Sequence, residues 1–132
     1  MLENRHVLSF AFPDPGADAI IPLLRVPTGH VYTIENAWMT VPTALGASTA
    51  DYFAAFLYNG GTAGNGTTVI SGTAGGTAGW AANTAQNLAI TSGAGDLTAG
   101  QWLTLKYDET GTVAQLMTVV TVEYVDGIGS KA

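Results

Sequence analysis

The stretch QWLTLKYDETGTVAQLMTVVTVEYV, residues 101–125, carries the clearest structural signal in this chain of 132 residues. Its first part alternates. Leu103 and Leu105 fall on one side and Trp102, Thr104 and Lys106 on the other, the period of a strand with one face in a core. Its last part, VAQLMTVVTVEYV, is long and rich in β-branched residues, which suit a pleated, half-buried surface. Between them Asp108–Gly111, DETG, reads as a hairpin turn in which Gly111 supplies a positive φ. The expectation is a pair of facing strands that bury Leu103, Leu105, Val120 and Val122 and turn Trp102 outward.

Upstream, the same period recurs. In DYFAAFLY, residues 51–58, Phe53, Ala55 and Leu57 point one way and Tyr52, Ala54, Phe56 and Tyr58 the other. Both faces are apolar, which predicts a strand buried on both sides and more apolar surface than one small sandwich can cover. AIIPLLRV (19–26) and HVYTIENAWMTV (30–41) give two further strands separated by Pro27–Gly29. Pro22 has no N–H to donate, so its strand belongs at a sheet edge or a bulge. Shorter strands are expected at Thr67–Ile70 and Asn87–Thr91, and no amphipathic helix is legible. About eight short strands between turn signals point to an all-β domain: a sandwich, a jelly roll or a small barrel.

The N-terminal RHVLSFAF also alternates, with Val7, Ser9 and Ala11 on one side and Leu8, Phe10 and Phe12 on the other. PDPGAD then separates it from the rest. Residues 1–18 are therefore either an arm that adds a strand to a neighbour's sheet or the first strand of the chain's own sandwich. The domain proper spans 19–126, and 127–132 form a C-terminal tail.

The middle of the chain, NGGTAGNGTTVISGTAGGTAGW (59–80), is glycine-rich. It lacks the Gly-Lys pair of a phosphate loop and the third glycine of a dinucleotide fingerprint. Because strands needed for the core follow it, the tract lies within the domain as turns and short strands, anchored by Trp80.

Only 11% of residues are charged and the net charge is −6, so no basic field exists to collect phosphates and nucleic acid is not expected as a direct partner. Cysteine is absent, which excludes disulfides and thiolate metal sites. Neither a secretory signal nor a membrane-spanning run is read, and manufacture in the cytoplasm is expected. His6 and His30 have no metal-ligand spacing, no serine sits in a nucleophile-elbow context, and the acids fall singly in turns. The expectation is no catalytic residue, no metal and no cofactor. The three tryptophans, Trp38, Trp80 and Trp102, are read as packing or interface anchors in preference to a sugar-binding platform.

VPTGHVYTIENAWMTVP (26–42), the glycine and threonine-rich middle and LTAGQWLTLKYDETGTVAQLMTVVTVEY (97–124) together resemble the small capsid decoration, or cement, proteins of tailed bacteriophages. The resemblance spans about residues 20–125. It rests on a proline-glycine turn leading into a strand that ends near an aromatic (Pro27–Trp38), a turn at Ala99–Leu105, and a V-x-Y ending at Val119–Tyr124. Gln101 stands where an acid is common. The resemblance implies a jelly-roll-like β-sandwich, usually a homotrimer, seated on the outer capsid surface of the virion and clamping neighbouring major capsid subunits. On that reading Leu8, Phe10, Phe12, Trp80 and Trp102 are the candidate contacts with other subunits or the capsid. The alternative is a carbohydrate-binding or adhesive β-sandwich module; a hydrolase would need two acids brought together in a cleft.

Overall fold

The computed structural model describes residues 4–113 and 117–128. Ten strands run β1 (Arg5–Pro13), β2 (Ala19–Arg25), β3 (His30–Thr40), β4 (Tyr52–Asn59), β5 (Thr68–Val69), β6 (Ala74–Gly75), β7 (Gln86–Asn87), β8 (Asp96–Thr98), β9 (Trp102–Thr110) and β10 (Met117–Ile128), with no helix among the described residues. They form two antiparallel sheets. In the first, β1, β10 and β3 lie side by side, and β3 is flanked further by the short β7 and β8; in the second, β2, β9 and β4 lie side by side, with the short β5 and β6 on β4. The chain is an all-β sandwich, and its frequent passage between sheets is compatible with jelly-roll connectivity.

Alternation decides what each strand buries. From β9, Leu103, Leu105 and Tyr107 point inward; from β4, Phe53, Ala55 and Leu57; from β10, Val120, Val122 and Tyr124; all are buried. On β3 the inward set changes parity between Ile34 and Ala37 because the register against β10 shifts at Glu123/Tyr124. The extra residue on the β3 side lets both apolar residues face the core despite their odd separation. Pro22 meets both expectations for it: β2 is the edge of its sheet, and its pairing with β9 shifts register between Pro22 and Leu24.

The hairpin expected across DETG does not form. β9 continues through Thr110, which pairs with Tyr52, and β10 belongs to the other sheet. Each strand already has two neighbours, β2 and β4 for β9, β1 and β3 for β10, so neither has an edge left for the other. Leu103, Leu105, Val120 and Val122 are all fully buried as expected, but they meet across the interior between sheets. Gly111 has the expected positive φ of 69°. Its missing Cβ would lie 2.2 Å from the Ala50 carbonyl oxygen, so the crossover passes against the loop before β4, where Asp51 Oδ1 accepts the Thr112 N–H at 2.9 Å.

The N-terminal segment is the first strand of its own sandwich. β1 pairs with β10 over its whole length, from Arg5↔Val125 to Pro13↔Met117, which removes the reading as an arm for residues 5–13. At the other end β10 extends to Ile128, two residues into the expected tail, and 129–132 lie outside the described residues. The glycine tract is part of the domain: it supplies β5 and β6 and brings Gly79 so close to the preceding loop that a Cβ there would sit 2.2 Å from the Leu45 carbonyl oxygen.

Leu105 is fully buried and Trp102 only partly. Leu105→Ala is expected to lower unfolding free energy by about 2–5 kcal/mol, the range for emptying a packed aliphatic site, and Trp102→Ala by distinctly less; denaturant titration of both variants measures the difference.

Candidate interaction surface

The side chains of β4, β9 and β2 that do not enter the core form the outer face of the second sheet. Tyr52, Ala54, Phe56 and Tyr58 project from β4, and none of them is fully covered within the chain. The Tyr58 row runs Val69, Tyr58, Thr104 and Pro22; the Phe56 row runs Phe56, Lys106 and Ile20. Phe56 and Tyr58 meet edge to face, with centroids 5.1 Å apart at 89°. Val69 is 50% and Ile20 39% exposed. Lys106 lies across from Phe56 on one side and Ile20 on the other, a place where its aliphatic stem extends the apolar surface and its ammonium can remain in water. Thr104, in the Tyr58 row, is completely buried, and its hydroxyl finds no hydrogen-bond partner among the described residues. The result is an apolar and aromatic face crossed by Lys106, with Arg25 opposite Trp102 at one end and Asp108 towards the other.

Of the five expected contact residues, the structure takes Trp80 and Phe12 into the core. Trp80 is 4% exposed and stacks on Phe53 at 4.8 Å, and Phe53 in turn stacks on Tyr107 at 4.7 Å. A residue enclosed in this way anchors the glycine tract and is not available to another subunit. Phe12 meets Tyr107 edge-on at 6.3 Å. Phe10 is half-buried against the core, Leu8 is 38% exposed on the same strand, and Trp102 is half-buried where β9 begins. Trp102 is supported by Gly64, whose missing Cβ would lie 3.5 Å from its Cδ1. Tyr52, Phe56 and Tyr58 were not singled out as contacts by sequence. Their signal was nevertheless there, in the two apolar faces of DYFAAFLY.

The tryptophans share no platform: Trp80 is internal, Trp38 belongs to β3 of the first sheet, and Trp102 to β9 of the second. A cavity of about 190 Å³ opens between Leu45, Asp51, Phe53, Gly79, Trp80 and Val113. Its walls are mixed, apolar from Leu45, Phe53, Trp80 and Val113 and polar from Asp51 and Thr112, and Asp51 Oδ1 already accepts the Thr112 N–H.

Titratable groups gather at the end of the sandwich where β3 starts and β10 finishes. His30 Nδ1 lies 2.8 Å from Asp126 Oδ1, the His30 ring meets Tyr32 edge-on, Tyr32 lies 4.5 Å from Tyr124, and His6 stacks on Tyr124 at 5.2 Å. Burial pushes the Tyr32 phenol above its ordinary value, with Tyr124, Asp126 and a hydrogen bond to Tyr124 adding to the rise. Among the described residues of this cluster the hydroxyls are the phenols of Tyr32 and Tyr124, the former held neutral. Among the described residues no group of three or more His, Cys, Asp or Glu side chains is arranged to hold a metal ion. On the outer face of the first sheet, Arg5 pairs with Glu35 and Glu123, and Glu123 also accepts from Asn36. Exposed pairs of this kind stabilise little.

Comparison with protein-family models, curated proteins and solved structures returns no match.

The raised Tyr32 pKa has a consequence for alkaline stability. The unfolded chain releases the phenolic proton near its ordinary value, about 10, whereas the folded chain holds it to higher pH. The associated stability is fully present below the unfolded pKa and is lost as pH rises through the folded one. Melting temperature should fall above about pH 10 in the native chain, and Tyr32→Phe should make that fall shallower.

Proposed function

We propose that the chain is a structural virion protein, a head decoration protein of a tailed bacteriophage. It binds the outer capsid surface and stabilises contacts between major capsid subunits, with a homotrimer as the working assembly. The observation that carries the reading is the outer face of the second sheet. Soluble monomers rarely leave a contiguous aromatic and aliphatic surface open, and such surfaces mark contacts with other proteins. Tyr52, Phe56 and Tyr58 supply rigid aromatic area, while Ile20, Pro22 and Val69 continue it to either side. Such a face suits a subunit whose work is adhesion to a protein lattice.

The rest of the molecule agrees with a non-catalytic role. The imidazole of the His30–Asp126 pair lies edge-on to the Tyr32 ring, the carboxylate at the cavity is already engaged by Thr112, and an acidic balance of −6 keeps an exposed shell protein soluble. The sugar-binding alternative loses its most direct basis because the tryptophans do not share one surface. Jelly-roll connectivity, homotrimer formation and a position near three-fold points of the shell belong to the same proposal.

Capsids from the chain's native source test it. The protein should sediment with intact shells, and adding it back to stripped shells should raise the temperature at which they come apart. Phe56→Asp with Tyr58→Asp should leave the isolated protein folded and weaken shell binding by about tenfold or more, as loss of central aromatic contacts does. Shells that neither contain nor bind the protein would overturn the reading.

A further inference from the structure

The two sheets offer four lateral edges, and three of them are blunted. β2 carries Pro22 and a register shift, and on the far side the edges are made of β5, β6, β7 and β8, each only two or three residues long. Short, irregular or proline-bearing edges are the usual protection against pairing with another chain. β1 has none of these. It is nine residues long, pairs with β10 in unbroken register, and contains no proline before its last residue. Its one charged side chain, Arg5, leans back across the sheet to Glu123 and Glu35, away from the open side.

Backbone geometry identifies which groups this edge presents. The Asp126 N–H donates to the Asn4 carbonyl at 2.8 Å, so Asn4 and Asp126 form a hydrogen-bonded pair. Such pairs alternate along an antiparallel ladder. The even-numbered residues of β1 therefore exchange bonds with β10, and Val7, Ser9 and Ala11 turn their N–H and C=O groups to the open edge. The side chains nearby are also incompletely covered: Val7 is 57% and Leu8 38% exposed, and Phe10 is half-buried. β6 lies against β7 on the far side of the sandwich, so β1 and β2 share the near side, where the half-buried Ile21 and Leu23 of β2 add to this apolar opening.

We infer that β1 pairs antiparallel with β1 of a second copy of this chain, about a two-fold axis through Ser9. Only odd-numbered residues face the edge, so odd must pair with odd, and the register centred on Ser9 is the one that uses the whole strand. It sets Val7 opposite the second copy's Ala11 and Ser9 opposite itself, each pair able to exchange both main-chain bonds. On the inner face the same axis places Leu8 opposite Phe10, so each copy covers the other's exposed side chain. Arg5 falls opposite Pro13, and no like charges oppose each other. This row-by-row self-complementarity commits the edge to a second copy. The contact lies outside the apolar face of the second sheet and does not rest on the capsid reading.

The chain's lack of cysteine makes the register directly measurable. Opposed residues of a hydrogen-bonded antiparallel pair have Cα atoms about 5.5 Å apart, inside the disulfide range of about 4.4–6.8 Å. Ser9→Cys in the full chain should give a covalent dimer on mild oxidation. Val7→Cys should not, because the two copies of residue 7 would be more than about 12 Å apart along the strands. Ser9→Pro removes an N–H that faces the edge and not β10. It should halve the assembled mass by sedimentation velocity with melting temperature little changed, whether the starting species is a dimer or a pair of trimers. Failure of Ser9→Cys to cross-link, equal cross-linking of Val7→Cys, or an unchanged mass for a folded Ser9→Pro protein would each overturn the pairing. Shell binding is not read in any of these measurements, so they fail or succeed separately from the capsid proposal.

Discussion

Burial of Tyr107 is the interaction on which the remaining structure depends. Its ring is fully enclosed between the sheets, stacked on Phe53 of the neighbouring strand, with Phe12 of the opposite sheet against it edge-on. Phe53 carries the stack on to Trp80, so one run of aromatic contacts joins both sheets and the glycine tract. The phenol is not stranded by this burial: its hydroxyl donates to Glu109 Oε1 at 3.2 Å. Large, flat side chains meeting face to face and edge to face fill a sandwich interior with few rotatable bonds to immobilise.

Seen from this core, the glycines have a mechanical role. Trp80 reaches Phe53 only because the chain around it runs very close to its neighbours; a Cβ at Gly75 would overlap the Trp80 ring at 2.6 Å and one at Gly79 the Leu45 carbonyl. A tract that looks like a linker by composition is a close-packed side of the domain. The cost is that its strands are only two residues long and contribute little ladder, and their brevity also protects that side from pairing with other chains.

The division between core and surface then sets what the molecule offers to others. The inner faces of β4 and β9 are closed by the first sheet, whereas the outer face of β4, where Phe56 and Tyr58 lie, is only partly covered by the described residues. Nothing within the described residues closes the free edge of β1. The two are physically different kinds of contact. One would gain affinity from burying aromatic area, the other from main-chain hydrogen bonds in a fixed register.

By itself the sequence determined the class and most of the strands. Period-two alternation marks β2, β3, β4, β9 and β10, the inward sets Leu103/Leu105 and Phe53/Ala55/Leu57 follow from it, and Pro22 marks an edge because proline has no N–H to give to a ladder. The split of β1 into a Val7, Ser9 and Ala11 side and a Leu8, Phe10 and Phe12 side was legible for the same reason. Partnership was not. Alternation says which way a side chain points but is indifferent to which strand lies alongside, so β9 and β10 read as a hairpin although they belong to opposite sheets. Tertiary structure alone decided that Trp80 is core and Phe56 is surface, because burial of an aromatic depends on whether a second layer covers it, and that layer comes from residues distant in the chain.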